Sequence, residues 1–286
     1  MTFGSWLHIL PILVAIGLVV GLFYLLGRCS VRTQKIVVFG LMLANVLQHL
    51  FKFAIYPHYH GDGFNIVNTA YNMCALLILL SPVVYCSRSS IWKDFALCTG
   101  MVAGFVAIAV PVWFFGKNMD ELGFEYVRFC ICHVLLFVSS GLALMLKHHR
   151  LSYRRFLYVG LMFLLALLII LYNNTLGIIL GLAHGSTAAE LYETLCRMNP
   201  CWVMMPSADD VFAPLVSLIH ALSPDFLCGK NATGQYAPIL WYALPVYIGI
   251  SAAACLFFTV IDRKNFVSDL KAGKILGNRR KMKKSD

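Results

Sequence analysis

The chain has 286 residues, of which 60% are hydrophobic and only 13% charged, with a formal net charge of +10. That is outside the range of an ordinary soluble domain. The positive charge gathers beside the ends of apolar stretches, where anionic lipid headgroups attract it, so nucleic-acid binding is set aside.

Seven apolar stretches follow in order, over roughly 7–26, 36–56, 66–86, 95–115, 124–146, 153–178 and 238–260. Each is near the ~20 residues a helix needs to cross a ~30 Å hydrocarbon core. In lipid a backbone must satisfy its own hydrogen bonds, which predicts helices and not a sheet. The first stretch does not read as a cleavable signal peptide, since no basic residue precedes it and no small-residue cleavage site follows.

The basic residues fall on alternate connections. Arg28, Arg32 and Lys35 lie after the first stretch, Arg88 and Lys93 after the third, and Lys147, Arg150, Arg154 and Arg155 after the fifth. Nine more follow the seventh, making 18 of the 23 Lys and Arg residues. This asymmetry predicts an N-terminus outside and a C-terminus inside. The expected fold is therefore an all-α polytopic membrane protein, a seven-helix transmembrane bundle over 1–262 with a basic cytoplasmic tail over 263–286. The first five connections are short and predict antiparallel neighbours.

The exception is the outer segment 183–237. It opens with an amphipathic pattern over Thr187–Met198, and its apolar run Val211–Leu222 is too short to span. Cys196, Cys201 and Cys228 share this segment, which leaves room for a disulfide between two of them without the pair being readable. No C-x-x-C pair occurs, so neither a metal nor another cofactor is expected. A bis-histidine haem between His49 and His133 has no further ligand pattern behind it.

Polar side chains within spans are costly and mark function. The second stretch carries Asn45, Gln48, His49 and Lys52 at i, i+3, i+4 and i+7, a single helical stripe. The third has Tyr71, Asn72 and Cys74, the fifth Glu125, Arg128, Cys130, Cys132 and His133, and the sixth Asn173 and Asn174. Counting at 1.5 Å per residue puts Cys74 and His133 roughly 12–14 Å below the outer surface, and His49 roughly 10 Å below it. A polar pocket opening outward accounts for this layer.

A cysteine and a histidine at equal depth suggest a nucleophile and its base for acyl transfer. Asn72, Asn173, Asn174 and Arg128 qualify by type as oxyanion donors. The duller readings stand beside this one. A cysteine in a span most often only packs, polar stripes also serve as interhelical glue, and Glu125 and Arg128 at i,i+3 can form a purely local pair.

Phe64–Tyr85, FNIVNTAYNMCALLILLSPVVY, and Arg128–Leu144, RFCICHVLLFVSSGLAL, resemble two helix motifs of the YwaF-type integral membrane protein family. Asn173-Asn174 and Leu240-Trp241-Tyr242 fit as well. The family includes transmembrane protein 164-like acyltransferases that remodel ether phospholipids through a cysteine and a histidine. The resemblance implies membrane phospholipids as partners, Cys74 as the acyl-carrying nucleophile and His133 as its general base. Many bacterial relatives carry a histidine where Asn72 stands, and a nucleophile just before it would fall on Tyr71.

Two functions from different classes follow. One is a phospholipid acyltransferase. The other is a transporter or lipid/solute-binding protein using the same pocket, with Lys52 and its stripe mattering more than Cys74. A receptor is disfavoured, because the third stretch ends Ser87-Arg88-Ser89 and the last lacks N-P-x-x-Y. The resemblance leans to a bacterial plasma membrane. In a eukaryote, Lys283-Lys284 near the end would read as a retrieval signal for the endoplasmic reticulum membrane, and Asn231-Ala232-Thr233 as a glycosylation acceptor.

Overall fold

The computed structural model describes residues 2–52, 69–111, 114–115, 119–183, 185, 187, 201, 213–228 and 239–272. Among these the chain is all-helical, with no β-strand. The helices are α1 (Trp6–Gly27), α2 (Val31–Leu50), α3 (Met73–Cys86), α4 (Ser90–Ala109), α5 (Met119–Met145), α6 (Phe156–Ala183), α7 (Ala213–Ala221), α8 (Leu240–Ile261) and α9 (Arg263–Lys271). Five segments are long and apolar enough to cross a membrane: Trp6–Gly27, Ser90–Ala109, Glu125–Met145, Tyr153–Gly177 and Leu240–Ile261. α3 is apolar but shorter, and α2 is diluted by Gln34, Asn45, Gln48 and His49.

Local chemistry sets several boundaries. The side chains of Ser30, Asn72 and Ser89 accept from the backbone N–H groups of Thr33, Ala75 and Trp92, capping α2, α3 and α4. The apolar run over 211–222 contains α7, a helix of nine residues. The amphipathic pattern over Thr187–Met198 lies outside the described residues apart from Thr187. The disulfide for which the segment left room is not formed. Any pair among the three cysteines would include Cys201 or Cys228, and both carry free thiols. Cys201 instead spends its sulfur on the Met73 N–H, at 3.4 Å, and Cys228 is buried against α8.

α5 is the central wall. Cys132 and Leu136 on one side join a core built from α3, α4, α6 and α8, while Val134, Val138, Leu142 and Ala143 join a second core with α1 and α2. The most extensive pairing is between α4 and α5. Its cause is a small-residue seam, Gly100 and Gly104, spaced four apart on α4. A Cβ on Gly104 would stand 2.7 Å from the backbone nitrogen of Phe137 and 2.8 Å from the carbonyl oxygen of His133.

The basic end of the bundle is tied by polar groups. Buried Asp94 accepts from His149 at 2.6 Å and from Arg155. Asp269 on α9 accepts from the Tyr153 hydroxyl and from Arg154, so the start of the basic tail is docked against the turn before α6. His148 bridges Gln34 and Tyr85. The Gln34 side chain donates its N–H groups to Leu26 and Cys29 and presents Oε1, so His148 Nε2 donates at 3.2 Å. Its Nδ1 lies 2.7 Å from the Tyr85 hydroxyl, which donates to it when the ring is neutral.

Two outcomes follow from this packing. Gly104→Ala should lower stability by about 1–3 kcal/mol through overpacking, read as a lower apparent Tm. Gly40→Ala, whose Cβ meets open space, should leave Tm unchanged or raise it. Burial first, and Lys35 second, pull the His148 pKa below its ordinary 6.5. The unfolded chain therefore takes up this proton more readily than the folded one. This contribution to stability is complete above pH 6.5 and drains as pH falls below it. Apparent Tm should decline between about pH 7 and pH 5, and His148→Gln should make that slope shallower.

Candidate functional site

The polar stripe of α2 meets its neighbours residue by residue. Asn45 Nδ2 donates to the Cys132 carbonyl at 2.9 Å, and Gln48 Nε2 to the Arg128 carbonyl at 3.3 Å, so both bind α2 to α5. His49 Nε2 donates to the Thr69 carbonyl at 3.3 Å. Lys52, almost wholly buried, places its ammonium 5.7 Å from the centroid of the Tyr71 ring, a cation–π contact. From the far side, Asn173 Nδ2 donates to Thr69 Oγ1 at 2.7 Å. Thr69 is thus anchored by two helices just before α3 begins.

That anchorage fixes the start of α3. Asn72 is its N-cap, with Oδ1 accepting from Ala75 N at 2.9 Å, and Cys74 falls in the first turn. First-turn amides have no intrahelical acceptor and face the positive end of the helix dipole, which favours negative charge developing nearby. The Met73 amide is met by Cys201 Sγ, and the Cys201 carbonyl accepts from the Tyr242 hydroxyl at 2.9 Å. A residue of the 183–237 segment is in this way pinned between α3 and α8.

On α5, His133 Nδ1 lies 2.7 Å from the Phe129 carbonyl. A carbonyl only accepts, so Nδ1 carries the proton and Nε2 keeps the lone pair. Arg128 pairs with Glu125 at 3.0 Å, the local i,i+3 pair that the spacing suggested.

These elements enclose a cavity of about 500 Å³. Seven of the eleven residues singled out from sequence line it: His49, Lys52, Tyr71, Asn72, Cys74, Arg128 and His133. Ala103 and Ala107 of α4 supply an apolar side with room beside it. The other four lie outside the lining. Asn45 and Gln48 join helices, Asn173 holds Thr69, and Asn174 is buried with neither side-chain polar atom bonded among the described residues.

Cys132, noted in the fifth stretch but not assigned to the site from sequence, also lines the cavity. Its signal was present, since Glu125, Arg128 and Cys132 sit at i, i+3 and i+7 on one face of α5. Thr69 and the Phe129 carbonyl were not readable, because backbone acceptors carry no residue-type signature. Among the described residues no cluster of three or more His, Cys, Asp or Glu is arranged to hold a metal ion.

The sequence profile of the TMEM164 family matches residues 2–205, well over half the chain, and the protein belongs to that family. No curated protein and no solved structure matches it.

The cap of α3 can be tested directly. Asn72→Ala should cost about 1 kcal/mol of stability, seen as a lower apparent Tm, while Asn72→Asp keeps the cap and most of that stability.

Proposed function

We propose that this TMEM164-family protein is an integral membrane acyltransferase that moves fatty acyl chains among phospholipids through an acyl-Cys74 intermediate. One observation carries the reading: Cys74 and His133 line a single cavity together with two cations, Lys52 and Arg128. The cations suit the phosphate of a phospholipid headgroup, and the apolar side formed by α4 suits an acyl chain.

The chemistry balances within the site. His133 Nε2 takes the Cys74 thiol proton, and the sulfur attacks the carbonyl carbon of a phospholipid ester. The new bond is the thioester, and the ester C–O bond breaks. His133 returns the proton to the departing lysophospholipid oxygen. In the second half, the hydroxyl of another lysophospholipid gives its proton to His133 and attacks the thioester. The thioester C–S bond breaks, the acylated lipid leaves, and His133 returns the proton to the Cys74 sulfur. Asn72 and Arg128, which line the same cavity, are the donors this reading assigns to the oxyanion.

The same reading gives the chain seven spans, with α2 and α3 completing the bundle, its N-terminus outside and its C-terminus in the cytoplasm. The grouping of basic residues at one end of the helices supports that orientation. A bacterial plasma membrane is the setting we favour.

A second reading rests on Lys52 and Arg128 themselves. The cavity would bind or pass an anionic lipid or solute with no covalent step. Purified protein in lipid nanodiscs, incubated with isotope-labelled phospholipid, separates the two by intact-protein mass spectrometry. The acyltransferase reading expects a hydroxylamine-labile acyl adduct on the wild type, none on Cys74→Ser, and formation slowed roughly 10²–10⁴-fold in His133→Gln. An adduct that survives Cys74→Ser but not Tyr71→Phe would move the nucleophile to Tyr71. No adduct with any donor, alongside lipid binding abolished by Lys52→Met, would establish the non-covalent reading instead.

A further inference from the structure

At the basic end of the bundle, opposite in chain order to the Cys74 cavity, α4, α5 and α8 leave an opening of about 610 Å³. Its inner part is apolar, walled by Met101, Leu144, Leu151 and Phe257. Its mouth carries Lys147, Arg150 and Lys264. A second opening of about 580 Å³ adjoins it, shares Arg150 and Lys264, and adds Arg263. An apolar slot ending in three cations, with a fourth, Arg263, on the adjoining opening, is the complement of one chemical class, an acyl chain joined to a phosphate.

The acidic and titratable groups facing the opening are accounted for. Asp262 lies on the shared wall, and its carboxylate accepts from the Tyr153 amide at 3.4 Å and from Asn265 Nδ2 at 2.6 Å. His149 turns its Nε2 to Asp94, which also holds Arg155. Asp94 is thus spent on His149 and Arg155, Asp262 keeps one negative charge that neutral donors orient, and the lysines and arginines of the mouth, which outnumber it, are exposed.

Backbone geometry at Lys147 is a second, independent observation. α5 ends in a Schellman motif, with His148 N–H donating to the Ala143 carbonyl at 2.9 Å and Lys147 N–H to the Leu144 carbonyl at 3.0 Å. The residue at the left-handed position of such a motif is usually glycine, because a Cβ is strained there. Here it is Lys147, with φ of 61°. The strain sits on a residue whose side chain lines the mouth, where stored strain commonly marks function.

We propose that this opening is a binding site for an anionic phospholipid of the adjoining leaflet, its phosphate held by Lys147, Arg150 and Lys264 and the start of an acyl chain lying against Met101 and Phe257. The site uses none of the residues of the Cys74 cavity, so it stands or falls separately from the acyltransferase reading.

Native mass spectrometry of the full-length protein, titrated with phosphatidylglycerol and with phosphatidylcholine, tests it. Phosphatidylglycerol should bind at least about tenfold more tightly than phosphatidylcholine. The variant Lys147→Gln/Arg150→Gln/Lys264→Gln should lose that preference. Arg28→Gln/Arg32→Gln, at the same end but outside the opening, should keep it. Lys147→Gly alone should raise the apparent Tm by roughly 2–4 °C as the strain is relieved, while weakening phosphatidylglycerol binding several-fold. Equal binding of the two lipids overturns the proposal, and so does an equal loss in the Arg28/Arg32 control, which would reduce the effect to general surface charge. Displacement of phosphatidylglycerol by millimolar inorganic phosphate would overturn the lipid assignment in favour of a soluble phosphate ligand.

Discussion

The rest of the structure depends on the close approach of α4 to α5. In lipid there is no hydrophobic gain in bringing two helices together, so association rests on van der Waals contact and on hydrogen bonds between helices. Gly100 and Gly104 remove the side chains that would hold the backbones apart, and the carbonyl of His133 and the amide of Phe137 come up against Gly104. This lets α5 stand as a wall shared by two cores. It also sets where the His133 imidazole lies, since its backbone is fixed by the absence of a side chain on the neighbouring helix. The Nδ1 bond to Phe129 then fixes the ring's tautomer from within α5 itself.

The two ends of the bundle solve the same problem with different groups. Where chains leave helices, backbone and side-chain polar atoms lose their regular partners and must be met some other way. At the cavity end, Thr69 is met by His49 and Asn173, and the first amide of α3 by Cys201. At the basic end, two aspartates serve as the anchors, Asp94 gathering His149 and Arg155, and Asp269 gathering Tyr153 and Arg154. Both openings lie beside these tied regions, because rigid polar anchorage leaves space that close-packed apolar helices would fill.

Much of the candidate site is legible in the residue pattern alone. The α2 stripe from Asn45 to Lys52 is visible because a 3.6-residue period places its members on one face, and each does face protein. Equal depths for Cys74 and His133 follow from rise per residue, and both line one cavity. The division of labour within the stripe is not legible. Asn45 and Gln48 join helices whereas His49 and Lys52 line the opening, and that turns on a rotation of α2 that periodicity does not specify. The disulfide for which segment 183–237 left room is absent for a related reason. Cys201 and Cys228 share that segment, but pairing needs a Cα separation and direction that only the fold supplies, and Cys201 is drawn to α3 instead.

By itself the sequence determined that the chain is helical, that it belongs in a membrane, and roughly where its long apolar helices run, because hydropathy and period are local properties. The start of α3 at Met73 and the short helices α7 and α9 were not readable from them. The Gly100–Gly104 spacing was equally plain in it, though not what those glycines would touch. Only the tertiary structure decided which helices adjoin, which polar residues share a cavity, that Cys132 belongs beside Cys74, and that a lysine occupies a glycine position at the mouth of a second opening. Those outcomes depend on the rotation and distance between helices. They arise from the sum of many contacts between residues far apart in the chain, and no short stretch of sequence records such a sum.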